Sequence, residues 1–426
     1  MENILSIDLG ASNTKLFIKY NNSYEEVYSF SNYSIFTENN HIWDIDKIIG
    51  EIYKGIDLAL KKYNNIKYIT TCSWGLDYIL FDENNNIIKP CYGYRDKRCE
   101  IGYNNIISKI SIEELFKING TQNLKFNSIY QLAAESASRL KKTKFILNIS
   151  DAINYLLSGS AKSELSILST TGLLDISKKI YSKKLLDICN IKNKICQIVN
   201  PGYNLGKMIK YTDINVICGY SHDTASAVNS IDNFTKEDLF ISCGTWSLLG
   251  TLLDKPILTN ECIEYNFTNE LQDNKIRLLK NIVGLWVLQE LEKETKISCS
   301  DLTDLAIKSE KEVFIIDLSK DIFLEQGSVI LKIQNEYTKK YGIFNNDLGF
   351  IVKIILNSLV NLYLQNINYL EKITKRRYKN IHIIGGGCKN KYLIERIKKK
   401  IHKDIIINEN LNSSIGNIKF IKNSSL

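Results

Sequence analysis

Two stretches of this 426-residue chain share one pattern: a short apolar strand, a turn containing glycine, and a second apolar strand. The first is ILSIDLGASNTKLFIKY, at residues 4–20, and the second is LFISCGTWSLLGTLL, at residues 239–253. Each predicts a β-hairpin, because strand-forming residues stand on both sides of a cluster of turn residues. The first hairpin carries Asp8 just before its turn, where the second carries Ser242. Two similar hairpins indicate two related halves, only one of which has a carboxylate at this position.

The rest of the chain alternates apolar strands with amphipathic helices, which predicts an α/β fold with a mixed sheet in each domain. A length of 426 residues suits two or three domains. The polar stretch NSIDNFTKED, at residues 229–238, is the expected boundary, so we predict domains at 1–232 and 233–426. Two helices are expected in the second half: an amphipathic one at LKNIVGLWVLQELEKET (279–295) and a long, largely buried one at 347–373.

The net charge of +8 includes two short basic clusters, at residues 374–379 and 396–400. Neither is interleaved with aromatic residues or attached to a DNA-binding motif, so no nucleic-acid partner is expected. The N-terminus lacks the apolar core of a signal peptide, and no uninterrupted apolar stretch approaches the roughly 20 residues of a spanning helix. The ten cysteines are scattered without a C-x-x-C pair, which is typical of reduced thiols. We expect a cytoplasmic protein with no membrane partner, and the sequence leaves open whether it is a monomer or a homodimer.

Two turns have the composition of phosphate-binding loops. Gly385-Gly386-Gly387 follows an apolar strand and precedes a helical pattern, so its backbone N–H groups can approach a nucleotide closely. A tight strand-to-helix turn without a ligand explains the three glycines equally well. Asp8 precedes a turn of small residues, whose N–H and hydroxyl groups can donate to phosphate oxygens, and its carboxylate can hold Mg²⁺ through waters. An ordinary hairpin in which Asp8 caps the turn is the alternative.

The segment SHDTASAV, at residues 221–228, follows the predicted strand INVICGY. It therefore lies at the carboxyl end of a strand, where open α/β sheets bind their ligands. Four interpretations are open for His222 and Asp223: a metal site, the partners of a nucleophile, a helix N-cap formed by Asp223, or a carboxylate that accepts a proton from a substrate hydroxyl. The chain has only four histidines, so a full set of metal ligands is not visible in the sequence.

Taken in order, these features resemble the actin/hexokinase/sugar-kinase superfamily and, more narrowly, the FGGY carbohydrate kinases. The resemblance runs nearly end to end, and it implies two ribonuclease H-like (actin-like ATPase) domains around a central cleft, with the sugar bound by the N-terminal domain and the nucleotide by the C-terminal one. The most specific matching motifs are SHDTASAV (221–228), GTWSLLG (244–250) and NIVGLWVLQ (281–289), and others are WGLDY (74–78), YRDKR (94–98), STTGLLD (169–175) and IHIIGGGCKN (381–390).

The resemblance also implies residue roles, with Asp223 as the catalytic base. It assigns sugar contacts to Gly75, His222, Thr224 and Asn281, ATP contacts to Ser12, Asn13, Lys15, Thr245, Gln289 and Gly386, and the Mg²⁺ site, through water, to Asp8. Asn281 and Gln289 are eight residues apart in the helix predicted at 279–295, so we expect them near one face of it.

The implied activity is ATP-dependent phosphorylation of a 6-deoxy-ketohexose, L-rhamnulose, at its C1 hydroxyl. Some positions depart from the family pattern: Thr14-Lys15 stands where Gly-Arg is usual, and Leu411 stands where an acidic residue is common. These departures leave the exact sugar open. A kinase of a related ketose or polyol, such as L-fuculose or xylulose, and a catalytically silent sugar-binding sensor on the same fold are the alternatives. An actin-like structural protein would leave the SHDTASAV motif unexplained.

Overall fold

A computed structural model describes residues 2–21, 23–38 and 40–424, and it divides the chain into two compact units. The first unit contains Met1–Asp232, Leu253–Leu278 and Asn412–Leu426, and the second contains Asn233–Leu252 and Leu279–Leu411.

The strands are, in chain order, β1 (Asn3–Leu9), β2 (Asn13–Tyr20), β3 (Ser23–Ser31), β4 (Ser34–Phe36), β5 (His41–Trp43), β6 (Ile66–Ser73), β7 (Tyr78–Phe81), β8 (Cys91–Tyr92), β9 (Phe145–Asn148), β10 (Lys162–Glu164), β11 (Leu174–Asp175), β12 (Ile180–Tyr181), β13 (Gln197–Val199), β14 (Asn204–Lys207), β15 (Asn215–Ile217), β16 (Asp238–Cys243), β17 (Trp246–Leu253), β18 (Thr268–Gln272), β19 (Lys275–Val283), β20 (Asn380–Ile384) and β21 (Asp404–Asn408).

The α-helices are α1 (Ile45–Lys62), α2 (Arg98–Ile107), α3 (Ile112–Asn119), α4 (Ser128–Ala133), α5 (Ala137–Lys142), α6 (Ile149–Ser158), α7 (Leu165–Leu168), α8 (Lys183–Ile188), α9 (Asp223–Asn229), α10 (Asn260–Glu264), α11 (Trp286–Thr295), α12 (Cys299–Lys308), α13 (Val329–Tyr341), α14 (Leu348–Thr374), α15 (Lys391–Lys400) and α16 (Ser413–Asn423), with short 3-10 helices at Asp321–Phe323 and Gly386–Lys389.

The first unit contains a six-stranded sheet in the order β14-β15-β6-β1-β2-β3. Strands β1, β2 and β3 are antiparallel, whereas β6 and β15 continue the sheet parallel to β1. The helix α1 covers this sheet with an apolar stripe spaced three or four residues apart, including Ile48, Ile52 and Ile56, and these side chains join the buried core. The parallel strands bring their carboxyl ends to one edge, which is where the site residues of this unit lie.

The second sheet repeats this arrangement, with six strands in the order β18-β19-β17-β16-β20-β21. Its hairpin β16–β17 is antiparallel, and β20 and β21 extend the sheet parallel to β16. Both predicted hairpins are confirmed, and so is the mixed α/β sheet in each half. The chain therefore contains two copies of one sheet pattern, as the two hairpin sequences indicate.

The compact units differ from the predicted division at 1–232 and 233–426 in two segments, Leu253–Leu278 and Asn412–Leu426, which pack with the first unit. The C-terminal segment belongs there because helix α16 packs closely on α9. Its Gly416 is so near the other helix that a Cβ atom at this position would lie 1.7 Å from the carbonyl oxygen of Ser226.

The helix predicted at 279–295 is wrong in its first part. Residues up to Val283 continue strand β19, and the helix α11 begins only at Trp286, after Gly284. Buried and partly exposed residues do not alternate strictly in β19. Its apolar residues therefore fit the period of a helix as well as that of a strand. Pairing with β17 decides the outcome, because the sheet supplies hydrogen bonds that local sequence does not reveal.

The long helix predicted at 347–373 is confirmed as α14. Within the described residues, it is the one helix whose length and apolar composition suit a membrane span, and 72% of its most apolar window is buried inside the protein. Its apolar side chains include Ile351, Ile355, Leu359 and Tyr363, all fully buried in the core of the second unit.

Replacing Gly416 with alanine should separate α16 from α9 and destabilise the first unit, because the new methyl group overlaps a backbone carbonyl. We expect a loss of roughly 1–3 kcal/mol in the free energy of unfolding. Gly50→Ala is the matched control, since this glycine lies in helix α1 with nothing within 4 Å of an added Cβ. That change should stabilise the protein by about 0.5–1 kcal/mol. Urea unfolding of both variants measures the difference, and equal effects would contradict the close packing of α16.

Candidate active site

The carboxyl ends of three strands meet at one edge of the first unit's sheet. The N–H of Trp74, just after β6, donates to the carbonyl of Leu9 at the end of β1, at 3.2 Å. The N–H of Ser73 donates to the carbonyl of Ser221 at 2.9 Å, and Ser73 also forms a parallel bridge with His222. These backbone contacts bring the ends of β1, β6 and the strand β15 together, and with them the residues that the sequence singled out.

Asp223, the predicted base, is the first residue of helix α9, and His222 occupies the N-cap position without a side-chain capping bond. The interpretation of Asp223 as the helix N-cap is therefore wrong. Its Oδ1 accepts a hydrogen bond from Thr224 Oγ1 at 3.0 Å and lies 3.4 Å from Nε2 of His222. The side chain is 31% exposed, so a substrate hydroxyl can reach the carboxylate.

Asp8 lies at the carboxyl end of β1, opposite Lys15 on β2. Ser413 Oγ donates to its Oδ2 at 2.5 Å, and the Cys72 thiol lies 3.8 Å from its Oδ1. Burial and, to a lesser degree, the neighbouring Asp223 carboxylate raise the pKa of Asp8 to about 6. The two carboxylates therefore form one negatively charged centre.

The described part of the chain contains no group of three side chains that could enclose a metal ion. Asp8 alone nevertheless fits Mg²⁺, because that ion keeps most of its waters and binds proteins through one or two carboxylates. Burial and, to a lesser degree, the Asp223 carboxylate disfavour the charged form of Asp8, and a nearby cation would favour it. The Asp8 carboxylate suits a Mg²⁺ ion that is bound through its waters, and it does not by itself complete the coordination shell of the ion.

The turn of the first hairpin presents Ser12, Asn13 and Lys15 to solvent, as expected for a phosphate-binding loop. The intervening Thr14 points inward, and its Oγ1 donates to Asn32 Oδ1 at 2.6 Å. Asn32 also donates its backbone N–H to the carbonyl of Ser12 at 2.9 Å and its side-chain amide to the carbonyl of Gly10. Asn32, which no sequence motif indicated, therefore fixes the shape of this loop.

Gly75 is buried directly against Thr170, whose Oγ1 would lie 2.8 Å from an added Cβ. The next turn is fixed by Asp77, which accepts hydrogen bonds from the indole N–H groups of Trp74 and Trp43 at 2.8 and 2.7 Å. Burial outweighs these bonds and raises the pKa of Asp77 to about 6. Since Ser73 bridges to the residue before Asp223, the Trp-Gly turn lies beside the predicted base.

Buried carboxylates hold the segment that carries His222. Glu164 Oε2 accepts the N–H of Ser221 at 3.0 Å and the hydroxyl of Ser166 at 2.5 Å, and that hydroxyl oxygen accepts the N–H of His222 at 3.2 Å. Asp151 accepts the Ser221 hydroxyl at 3.1 Å, and burial raises its pKa well above the ordinary range. Sequence reasoning missed these acids because they are distant in the chain and match no motif with an assigned role.

In the second unit, the hairpin turn that carries Thr245 packs against the start of helix α11. The N–H of Trp286 donates to the carbonyl of Thr245 at 3.0 Å, and a Cβ on Gly284 would lie 2.6 Å from Trp246. Gln289 lies one turn further along α11, with its N–H bonded to the carbonyl of Leu285 at 2.9 Å. Thr245 and Gln289 are therefore brought to the same end of the sheet.

The glycine turn reaches the same place through Cys243, the last residue of β16. A Cβ atom added to Gly385 would lie 2.8 Å from the carbonyl oxygen of Cys243, and one added to Gly387 would lie 2.1 Å from its Sγ. A Cβ atom added to Gly386 would meet nothing within 4 Å. The sequence predicted that this turn leads directly into a helix. In the structure, a short 3-10 helix lies between the turn and α15.

Asn281 is not on the helix with Gln289. It lies in strand β19, and Gly284 separates it from α11, so the expected common helical face is wrong. The neighbouring Lys280 is partly buried, and this burial lowers its pKa to about 8.

Comparison with known proteins gives consistent results over nearly the whole chain. Residues 3–226 match the model of the N-terminal domain of the FGGY family of carbohydrate kinases, and residues 239–398 match the model of its C-terminal domain. The chain is 32% identical to rhamnulokinase of Oceanobacillus iheyensis, with 97% of this chain and 91% of the relative covered. It is also 32% identical to rhamnulokinase of Bacillus subtilis, with 91% and 83% covered.

Two solved structures have a similar fold at low sequence identity. Xylulose kinase from Lactobacillus acidophilus gives a TM-score of 0.81 at 14% identity, with 99% of this chain and 89% of that chain covered. Plasmodium falciparum glycerol kinase with ADP gives a TM-score of 0.80 at 19% identity, with 98% and 88% covered. At these identities the likeness concerns the fold, and it confirms the predicted actin-like architecture of two sheet-containing domains.

The raised pKa of Asp8 predicts a pH dependence of stability. Because the pKa is about 6 in the folded protein and 3.8 ordinarily, the folded state binds this proton more tightly than the unfolded state. The corresponding stability is fully present below pH ~4 and is lost as the pH rises to about 6. Asp8→Asn removes this titration and should stabilise the protein at pH 8 by roughly 1–3 kcal/mol, with little effect at pH 4. Urea unfolding at both pH values measures it.

The control is Asp213→Asn, an exposed position in the same unit. It should change the free energy of unfolding by less than about 0.5 kcal/mol at either pH. Equal stability of Asp8→Asn and the unchanged protein at pH 8 would contradict a destabilised carboxylate at this position.

Proposed function

The chain belongs to the FGGY family of carbohydrate kinases, and from this premise we propose that it transfers the γ-phosphoryl group of ATP to the C1 hydroxyl of L-rhamnulose. The observation that carries the proposal is the half-exposed Asp223 carboxylate at the edge where the strand ends meet, beside the Trp-Gly turn. The similarity to two rhamnulokinases over more than 90% of the chain supports the choice of sugar.

Asp223 acts as the general base in this proposal. Its carboxylate accepts the proton of the sugar hydroxyl while the hydroxyl oxygen attacks phosphorus, and the base acts by its position within hydrogen-bond reach. Thr224 holds Oδ1 at 3.0 Å, which orients the carboxylate. The residues that we propose to contact the sugar are Gly75, His222, Thr224 and Asn281.

The residues that we propose to contact ATP are divided between the units. Ser12, Asn13 and Lys15 offer hydroxyl, amide and ammonium donors from the first hairpin, and Thr245, Gln289 and Gly386 come from the second unit. Asp8 would hold Mg²⁺ through its waters, and that ion would neutralise negative charge on the phosphates. Phosphoryl transfer depends chiefly on such positioning and electrostatic stabilisation.

A kinase of L-fuculose or xylulose is the alternative within the family. The fold likeness to xylulose kinase and glycerol kinase is compatible with it. A catalytically silent sugar-binding sensor is the alternative from another class. A cytoplasmic location is proposed, together with a monomeric or homodimeric state.

Asp223→Asn should bind the sugar and ATP almost normally but lower kcat by about a hundred- to ten-thousandfold, because the amide cannot accept the proton. Coupled detection of ADP release gives kcat, and calorimetry gives the binding constants. A near-normal kcat would remove the base assignment.

A panel of L-rhamnulose, L-fuculose and D-xylulose, each with ATP and Mg²⁺, tests the substrate. We expect the highest kcat/KM with L-rhamnulose and a phosphate on C1 of the product, identified by NMR. A higher kcat/KM with another sugar would select the alternative kinase, whereas ADP formation with none of the sugars would favour the sensor.

Gly386 offers a specific test of the nucleotide site, since an added Cβ atom meets nothing within 4 Å in the fold. Gly386→Val should therefore leave stability within about 0.5 kcal/mol. We expect it to raise KM for ATP about tenfold or more with little change in KM for the sugar, as loss of about 1.4 kcal/mol of binding would do.

Gly387→Ala is the comparison, because its Cβ would overlap the Cys243 sulfur. This variant should lose roughly 1–3 kcal/mol of stability. An unchanged KM for ATP in a folded Gly386→Val variant would contradict the proposal that ATP contacts Gly386.

A further inference from the structure

Arg277 is fully buried in the first unit, in strand β19. Its Nη2 lies 3.1 Å from Oε2 of Glu270, a side chain of the neighbouring strand β18 that is also buried. Proximity of Arg277 holds the pKa of Glu270 below its ordinary value in spite of burial. The pair is therefore ionised. A buried ion pair is costly to maintain, which raises the question of what Arg277 does there.

The same Nη2 atom lies 3.0 Å from Nδ1 of His222. A guanidinium group has no lone pair and can only donate, so this contact requires Nδ1 of the imidazole to be the acceptor. The proton of the ring is then on Nε2. That atom faces Oδ1 of Asp223 at 3.4 Å.

Glu270 would favour the other tautomer of His222, with the proton on Nδ1. Oε2 of Glu270 lies 3.4 Å from Nδ1 of His222 and would accept a proton placed there. The shorter contact, from Arg277 at 3.0 Å, excludes a proton on Nδ1, and the same Nη2 atom pairs with the Glu270 carboxylate at an N–O distance of 3.1 Å, without a hydrogen bond to its Oε2. Arg277 thus decides between two tautomers of one ring.

The Oδ1 atom of Asp223 accepts the hydroxyl of Thr224 and faces Nε2 of His222. The backbone N–H of His222 is fixed separately, by Ser166 Oγ at 3.2 Å. A ring held from both sides that donates to Oδ1 leaves Oδ2 for a substrate.

We propose that Arg277 is a positioning residue of the phosphoryl-transfer site: it fixes His222 as the Nε2–H tautomer, and His222 then donates to Asp223 and orients the base. This inference rests on the proposed function of Asp223, but the tautomer itself does not depend on any activity. With the proton on Nδ1 instead, the lone pair of Nε2 would face the carboxylate and repel it.

The direct test is long-range ¹H–¹⁵N NMR of the protein with labelled histidine, with the His222 signals assigned from a His222→Gln variant. We expect the ring of the unchanged protein to carry its proton on Nε2. A ring protonated on Nδ1 would overturn the proposal without further experiment.

Arg277→Met should move the proton to Nδ1, because Glu270 then becomes the nearest partner. The kcat should fall by about ten- to a hundredfold, the effect expected from losing one hydrogen bond to a charged group, while the Kd for the sugar changes less. A folded Arg277→Met protein with the original tautomer and an unchanged kcat would contradict the proposal.

Because Arg277→Met leaves Glu270 charged and unpaired in the interior, it can fail to fold. The double variant Arg277→Met/Glu270→Met removes both charges and both partners of Nδ1, so we expect a mixture of tautomers and a smaller loss of kcat. Retention of a single Nε2–H tautomer in this variant would show that Arg277 does not set it.

The matched control is Lys403→Met/Glu371→Met, which removes a largely buried ion pair of the second unit with N and O atoms 2.7 Å apart. It should leave the His222 tautomer and kcat unchanged, even where it lowers the melting temperature. An equal loss of kcat in the control would mean that any buried ion pair has this effect, and it would overturn the specific role of Arg277. Failure of the proposed function can be distinguished from failure of this inference. In the first case no sugar is phosphorylated, but His222 still has its proton on Nε2.

Discussion

The segment at residues 219–223, which ends in the proposed base, is fixed by hydrogen bonds from side chains that are far apart in sequence. Its backbone N–H groups donate, in order, to Thr70, Asn417, Glu164 and Ser166. Backbone groups of this kind are rarely left without partners when buried, so the segment can adopt this conformation only if all four elements are in place. The position of Asp223 therefore depends on strands β6 and β10 and on helices α7 and α16. This explains why the last segment of the chain packs with the first unit.

Two copies of one sheet pattern carry different chemistry. In the first unit the hairpin carries Asp8 just before its turn, whereas the second has Ser242 in that place and presents glycines packed against Cys243. Close packing against backbone, as at Gly284 and Gly385, leaves no room for a side chain at these positions. The same topology thus provides a carboxylate centre in one unit and a surface rich in glycine in the other.

Local sequence was sufficient to predict the features that depend on interactions between residues close in the chain. The two hairpins, the glycine turn and the strand end before Asp223 all depend on turn residues and strand periodicity, and the structure has them where the sequence predicts them. The first part of the helix predicted over residues 279–295 is wrong because sheet pairing overrides a short apolar run that suits both periods, whereas its second part is helix α11. Contacts such as Ser413 with Asp8, 405 residues apart, have no local signal. For the same reason Arg277 and Glu270 were missed, since their role depends on a contact with His222 that only the folded chain creates.

The network around His222 also separates two requirements that a sugar kinase must meet. In the proposed mechanism, Arg277 and Glu270 orient the base through His222, and Glu164 does so through Ser221. Discrimination among ketoses would instead come from the residues that we propose to contact the sugar, because a hydroxyl is recognised only by groups that it can reach. The orienting groups can therefore stay the same while the sugar changes. The fold accordingly permits the same base arrangement with L-rhamnulose or another ketose, and the choice of sugar follows from a few accessible side chains beside Asp223.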